Sequence, residues 1–367
     1  MNERDEELRR AAYENQLNRT KALLKLGADP NATDEEGQTA LHAAVAWFQP
    51  SSDMISRFHT DPEVLGALLE GGARLDPVDN EGYTPLLLAA RNDNNRAVRF
   101  LVERGADCKR TDPSGWSALT WFLWKSSYFP HARKTLEPFL RSKGIPITLW
   151  DALILNDRRR AEQLTTPVPI NTKGGAGRTL LHLAATYGHT SVAAQLLARG
   201  ADVNAIDALK RTPLHYAMGG EFWVNVNAFS GWQKFGAQKG RERLVSLLIK
   251  AGATLDTQDD FYGLREEEPD FRGSTPAEWA IGFQRPDLLR VLLRAGADPN
   301  QPSRRRKPLL FEAIRTKNAD LVHVLLEAGA DPRATNYDES TLKAAEKLPR
   351  IQRLLREALA KKKPLMR

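Results

Sequence analysis

Apolar residues along this chain recur in pairs of short amphipathic runs, and a glycine ends the second run of each pair. Residues 179–204 show the pattern most clearly, because one run breaks at Gly188 and the next stops at Gly200. Apolar positions at helical spacing predict two short α-helices, and the final glycine suits the left-handed conformation that ends a helix. Two such helices cannot bury both apolar faces by themselves, so the pattern predicts that similar units stack along the chain.

The helix-ending glycine recurs at a spacing near 33 residues, which is the interval from 72 to 105 and from 296 to 329. Twelve residues after most of these glycines, a Thr, Ser or Pro begins the next apolar run. Four runs begin with T-A-L, T-P-L or T-L-L, at Thr39, Thr84, Thr179 and Thr212. Threonine at such a position caps a helix, and a proline after it has no amide hydrogen to leave unpaired.

Period, opening motif and glycine stop together resemble the ankyrin-repeat family over nearly the whole chain. The resemblance implies an all-α solenoid of stacked helix-turn-helix units joined by short hairpin finger loops. We expect one solenoid over residues 1–367, with an N-terminal cap at 1–30 and about eight units over 31–335. The units are degenerate around 126–170, and residues 336–367 form a C-terminal cap with a basic tail.

Departures from the 33-residue period locate residues that this chain has added to the repeat. Insertions at 49–60, 127–132 and 222–240 fall in the turn between the first and second helix of a unit. A fourth, at 260–271, lengthens a finger loop. We expect a specific function to reside in these departures, because the repeat consensus accounts for folding alone.

Aromatic residues occupy positions that the resemblance places on the concave face: the fifth, eighth and ninth residues of a first helix, counted from its opening residue. Large aromatic side chains dominate binding hot spots, so these positions are predicted partner contacts. The alternative is that aromatic insertion residues fold back and bury them, and both interpretations stay open. The predicted partner contacts are Trp47, Trp121, Trp124, Tyr187, Tyr216, Trp279 and Phe283, with insertion contacts at Phe222, Trp223 and Trp232.

No group of residues has the spacing of a catalytic or metal site. His42, His182 and His215 occupy the T-P-L-H position, where the resemblance implies that histidine holds the loop by hydrogen bonds. His59 and His131 lie in insertions and have no neighbouring ligand residue in the sequence. The sequence therefore predicts a protein that is not an enzyme, has no catalytic residue, and takes no cofactor or metal.

Composition and net charge predict where in the cell the protein is found and suggest a further binding hypothesis. No run of 18 apolar residues exists, the N-terminal segment is charged from near its start, and the single cysteine, Cys108, excludes an internal disulfide. These features predict a cytoplasmic protein that does not span a membrane. The net charge of +7 invites polyanion binding, although the basic residues are scattered, with clusters at 158–160, 304–307 and 361–363.

The leading functional hypothesis is a non-catalytic scaffold that binds a protein partner in an aromatic-lined concave groove. An inhibitor, antitoxin or immunity-type protein is a concrete form of it. One alternative is an enzyme or small-molecule binder whose pocket is roofed by the insertions 49–60, 127–132 and 222–240. A second alternative is polyanion or nucleic-acid binding through the basic clusters. Partner identity and oligomeric state do not follow from the sequence.

Overall fold

Capping residues set where the helices of this protein begin and end. The amide and hydroxyl of Thr179 bond the ring of His182, three residues further along the helix that Thr179 opens. Gly188 ends that helix with φ of 75°, and Gly200 ends the next helix with φ of 87°. A side chain with a β-carbon is strained in this left-handed region, which explains the glycine of the repeat.

The computed structural model describes residues 2–46, 62–126, 130–145, 147–163, 170–219, 241–260, 274–302, 307–336 and 339–361. Within them, α-helices follow one another in pairs, which confirms the predicted all-α fold of stacked helical units. The chain groups into two compact units, Met1–Val168 and Pro169–Arg367, and each is described by itself. A single solenoid over residues 1–367 stays a prediction.

The first unit contains five helix pairs in its described residues. They are α1 Glu3–Tyr13 with α2 Leu17–Lys25, α3 Ala40–Ala46 with α4 Pro62–Glu70, α5 Pro85–Arg91 with α6 Asn95–Glu103, α7 Ala118–Ser126 with α8 Pro130–Ser142, and α9 Leu149–Ile154 with α10 Arg158–Gln163.

The second unit also contains five helix pairs in its described residues. They are α11 Leu180–Tyr187 with α12 Thr190–Ala198, α13 Pro213–Gly219 with α14 Arg241–Lys250, α15 Pro276–Gly282 with α16 Pro286–Arg294, α17 Leu309–Arg315 with α18 Ala319–Glu327, and α19 Thr341–Ala344 with α20 Pro349–Lys361. A 3-10 turn, Gly175–Gly177, precedes α11, and two short antiparallel strands, β1 Thr335–Asn336 and β2 Glu339–Ser340, precede α19.

Helices form two rows in each unit. In the second unit the first helices α11, α13, α15 and α17 pack against one another in succession, and the second helices α12, α14, α16 and α18 form their own row. Ala184 and Ala185 on α11 are fully buried, which lets neighbouring first helices approach closely. Leu196, Leu248 and Leu292 fill the layer between successive second helices, and burying such apolar surface provides most of the stability of the stack.

An aspartate organises the finger loop between two pairs. Asp207 accepts hydrogen bonds at Oδ1 from the amides of Leu209 (2.8 Å) and Arg211 (2.9 Å). Neighbouring fingers are also joined, because the amide of Ala208 donates to the carbonyl of Ala176 at 2.9 Å. The finger is therefore a fixed turn that connects one pair to the next.

The predicted insertions fall largely outside the described residues. This holds for 49–60 and 222–240, and for all of 260–271 except Asp260. Residues 130–132, assigned to the insertion 127–132, instead belong to α8. Proline suits the first turn of a helix, where its missing amide hydrogen costs nothing, so α8 starts at Pro130.

Candidate interaction surface

Three histidines tie the start of a first helix to the next finger. His182 accepts a hydrogen bond at Nδ1 from the amide of Thr179 (3.0 Å), and its Nε2 donates to the carbonyl of Arg211 (3.0 Å). His42 and His215 make the same two bonds in their own pairs. The structural role that the family resemblance implied for these histidines is confirmed.

Burial keeps these imidazoles neutral. It lowers the pKa of His182 to about 4, although the hydrogen bond to the carbonyl of Arg211 acts in the opposite direction. Burial also lowers the pKa of His42 and of His215. A neutral imidazole has one donor and one acceptor nitrogen, so the tautomer with its proton on Nε2 satisfies both bonds.

An aromatic residue at the fifth position of three first helices bonds the carboxylate of the preceding finger. Tyr216 on α13 donates its hydroxyl to Oδ2 of Asp207 at 2.6 Å, while Oδ1 holds the finger backbone. Each such carboxylate thereby links a finger to the helix that follows it. The other two pairs are Trp121 with Asp112 (2.8 Å) and Trp279 with Asp259 (3.2 Å).

Buried arginines stack on two of these rings in the second unit. The guanidinium carbon of Arg178 lies 4.6 Å from the ring centroid of Tyr216, and that of Arg211 lies 5.2 Å from Trp279. The Nε atoms of the two arginines also lie 4.0 and 3.6 Å from the carboxylates that bond these rings. A buried charge is tolerated when it is paired and stacked in this way.

Four buried tryptophans form an aromatic cluster in the first unit. The ring centroid of Trp116 lies 4.6 Å from Trp121, 5.5 Å from Trp124 and 5.2 Å from Trp150. Tilted and edge-on contacts of this kind are favoured by the charge distribution of aromatic rings. Because Trp121 and Trp124 lie on α7 and Trp150 on α9, the cluster joins two successive first helices.

The predicted aromatic contacts therefore divide by burial. The structure places four of them in the interior rather than on an open groove, because their rings find stacking or hydrogen-bond partners in their own unit. These are Trp121, Trp124, Tyr216 and Trp279, with exposed fractions of 8%, 5%, 0% and 8%. Their contact with a partner stays a prediction. Four further predicted contacts lie outside the described residues: Trp47, Phe222, Trp223 and Trp232.

Two of the predicted contacts, Tyr187 and Phe283, are half-buried and occupy the same repeat position. Tyr187 ends α11, and Phe283 directly follows α15. The helix between them is α13, which ends at Gly219, where an added β-carbon would overlap the ring of Phe283. Phe283 therefore rests directly on the neighbouring helix, with its centroid 5.8 Å from that of Trp279. Tyr187, Gly219 and Phe283 are called the aromatic patch below.

Arg241 fixes the start of α14, a second helix, against the ends of the first helices α11 and α13. Its buried guanidinium donates to four backbone carbonyls at the ends of α11 and α13. Carbonyls in the last turn of a helix lack the amide four residues further on that an interior carbonyl receives, and the guanidinium supplies a donor to them. Burial lowers the pKa of Arg241 to about 10, which leaves it charged at neutral pH.

Sequence reasoning missed Arg178, Arg211 and Arg241, and it missed the aspartate partners of the aromatic residues. A signal existed for some of them. Tyr216 follows Asp207 by nine residues, as Trp121 follows Asp112, and Arg178 and Arg211 each precede an opening threonine. A residue position alone does not reveal which side chain from the neighbouring repeat faces it.

The candidate residues for chemistry are not brought together in the described part of the chain. Asp260 pairs with Lys210 at 2.6 Å. His59 and the side chain of His131 lie outside that part. Among the described side chains, no three His, Cys, Asp or Glu residues gather as metal ligands. No described helix combines the length and apolar character that crossing a membrane requires.

Comparison with known proteins places this arrangement in a family. A family model described as "Ankyrin repeats (3 copies)" matches residues 8–112, 54–129, 149–224 and 235–336. Among solved structures, an ankyrin repeat domain from Acinetobacter baumannii AYE is 23% identical, with a TM-score of 0.43. That match covers 57% of this chain and 96% of the other.

Similar curated proteins are much longer than this chain. Transient receptor potential cation channel subfamily A member 1 of Homo sapiens is 22% identical, over 83% of this chain and 31% of the relative. Rabankyrin-5 of Mus musculus is 26% identical, over 75% and 22%, and E3 ubiquitin-protein ligase KEG of Arabidopsis thaliana is 25% identical, over 68% and 12%. The chain thus spans less than a third of the length of these relatives.

Proposed function

Because the chain belongs to the ankyrin-repeat family, whose repeats generally mediate protein–protein interaction, we propose that it binds a protein partner through the aromatic patch. One observation carries the proposal: Tyr187 and Phe283, both half-exposed, occupy the same repeat position on either side of α13. The family fold is typically a non-catalytic interaction module, and the patch supplies contact surface rather than reactive groups.

A buried network supports the patch. Phe283 rests on Gly219, and the neighbouring Trp279 is hydrogen-bonded to Asp259. The residue before Tyr187 gives its carbonyl to Arg241. Aromatic side chains on a fixed support lose little conformational freedom on binding, and they are enriched among binding hot spots. These features support an apolar anchor of the partner as the group that the patch receives.

Inhibition of a partner enzyme, in the manner of an antitoxin or immunity-type protein, is one concrete form of the proposed function. We also propose that the interaction takes place in the cytoplasm. The names of the similar proteins support only the general interaction role. Identifying the partner decides among these forms.

Affinity purification of the full chain from its native host tests the proposal. The comparison uses the wild type, the double variant Tyr187→Ala/Phe283→Ala, and the control Tyr13→Ala/Leu26→Ala, which removes exposed apolar side chains from the first unit. We expect the patch variant to recover about tenfold less of the partner, since two hot-spot residues are lost. The proposal fails if the patch variant, with an unchanged melting curve, recovers as much partner as the control.

A further inference from the structure

The second helices of the second unit carry an unusual group of basic side chains. They lie on α14 and α16 and at the C-terminal cap of α12, and all are exposed or half-exposed. None of them forms an ion pair with any residue in the described part of the chain. The five residues, called the basic face below, are Arg199, Arg243, Lys250, Arg290 and Arg294.

Four other second helices each hold at least one arginine in a pair with a glutamate one turn away on the same helix, although Arg96, Arg159 and Arg356 on these helices form no ion pair within the described residues. The pairs are Arg99 with Glu103 on α6, Arg141 with Glu137 on α8, Arg158 with Glu162 on α10, and Arg353 with Glu357 on α20. Among the described residues, no pair of this kind occurs on α12, α14 or α16, so the basic side chains there are gathered without an arginine–glutamate pair on their own helices.

Helix stability does not explain the basic face. A cation near a helix C-terminus is favourable, which accounts for Arg199, Lys250 and Arg294. It does not account for Arg243, which lies near the start of α14, or for Arg290, which lies in the middle of α16. Arg290 and Arg294 are also one turn apart, where like charges repel. Because α14 packs on both α12 and α16, with axes about 8–10 Å apart, repulsion also acts between helices.

We infer that the basic face binds a short acidic segment of polypeptide. Bound carboxylates would relieve the repulsion, and this surface is distinct from the aromatic patch, which lies on the first-helix row. The neighbouring second helix, α18, carries the carboxylates of Asp320 and Glu327, so the basic face ends there. Three helices with axes about 8–10 Å apart span roughly 20–30 Å, which matches about six to nine residues of extended chain.

The surroundings favour polypeptide over other anions. A single-stranded nucleic acid is bound on exposed aromatic rings, and a membrane surface takes up exposed apolar side chains. The large exposed apolar residues of the described chain lie elsewhere, at Tyr13, Leu26, Val78, Ile206 and Leu209. A long duplex or a membrane plane laid over the basic face would also meet the acidic α18.

Fluorescence anisotropy with a labelled synthetic peptide of about ten residues, alternating glutamate and serine, tests this inference on the full chain. The triple variant Arg243→Gln/Arg290→Gln/Arg294→Gln removes charge from the basic face. The matched control, Arg99→Gln/Arg141→Gln/Arg353→Gln, removes three paired arginines from other second helices. We expect binding about tenfold weaker for the first and within about twofold for the second.

Further measurements separate the outcomes. The lysine variant Arg243→Lys/Arg290→Lys/Arg294→Lys keeps the charge and should bind the peptide within about threefold of wild type, and wild-type binding should weaken at high salt. Equal losses in the triple variant and its control, or no peptide binding by the wild type at low salt, would overturn the inference. Tighter binding of a 20-base-pair DNA duplex (about two helical turns) or of phosphatidylserine vesicles would also overturn it.

Discussion

The carboxylate of Asp207 is the joint between a finger and the helix that follows. One oxygen receives two finger amides, and the other receives the hydroxyl of Tyr216. Burial raises the pKa of Tyr216 to about 12, so the phenol stays protonated and donates. The aromatic residue at this position therefore supports the repeat from inside, beneath the surface that a partner would reach.

Removing the hydroxyl of Tyr216 should weaken the fold. In Tyr216→Phe the ring stays, but the carboxylate of Asp207 loses its 2.6 Å hydrogen bond, at a cost of about 1–2 kcal/mol in the free energy of unfolding. Urea unfolding measures the loss. The matched control is Tyr83→Phe, since the hydroxyl of Tyr83 makes no hydrogen bond within the described residues, and its change should stay within about 0.5 kcal/mol. Equal changes in both variants would refute the role of the joint.

His182 should make the fold sensitive to acid. Its folded pKa of about 4 lies below the ordinary value of 6.5, so between these values the unfolded chain binds the extra proton. Its contribution is therefore fully present above pH 6.5, is lost as pH falls towards 4, and amounts to about 3 kcal/mol. Urea unfolding measures the free energy of unfolding of the wild type and of His182→Gln from pH 7 to 4. The difference between the two proteins should shrink by this amount as the pH falls. Parallel curves would contradict the assignment.

At the scale of the helix, Arg241 couples three elements. Its guanidinium joins the start of α14 to the ends of α11 and α13, and the sequence pattern shows only a basic residue at a helix start. At the end of α13, Gly219 leaves room for the ring of Phe283. The two features fix the helix ends on which the aromatic patch lies.

Arg241→Ala should destabilise the second unit by about 3 kcal/mol, because several carbonyls lose a charged donor at once. Arg241→Lys should recover little, since an ammonium group cannot reach four carbonyls in the geometry of a guanidinium. Arg243→Ala, which removes an exposed arginine from the same helix, should change stability by less than about 0.5 kcal/mol. Hydrogen exchange at the last amides of α11 and α13 gives the readout. Unchanged protection in Arg241→Ala would show that the anchor is dispensable.

The sequence predicted where the helices begin and end better than it predicted which aromatic side chains are exposed. Gly200 and Thr212 mark helix boundaries because left-handed backbone and helix capping are local requirements, and local requirements are visible in one chain. The burial of Tyr216 depends on Asp207 and Arg178 from neighbouring fingers, so counting positions along one helix could not reveal it. The same limit applies to Phe283, whose support on Gly219 comes from another repeat.

At the scale of the molecule, the second unit has two chemically different faces. The first-helix row carries the aromatic patch, and α11 and α13 contain no Asp, Glu, Lys or Arg. The second-helix row carries the basic face. A repeat stack holds both faces at fixed spacing because each pair packs only on its neighbours. We therefore propose that an apolar anchor and an acidic segment of partner polypeptide bind to separate surfaces of the second unit.

Photo-crosslinking tests the central claim, that a protein partner lies on the aromatic patch, most directly. A benzoylphenylalanine residue replaces Tyr187, Phe283 or, as the control, the exposed Tyr13, and the full chain is irradiated in lysate of the native host. We expect one adduct of the same mass from positions 187 and 283 and none of that mass from position 13. No shared adduct from the two patch positions, or the same adduct from position 13, would contradict it.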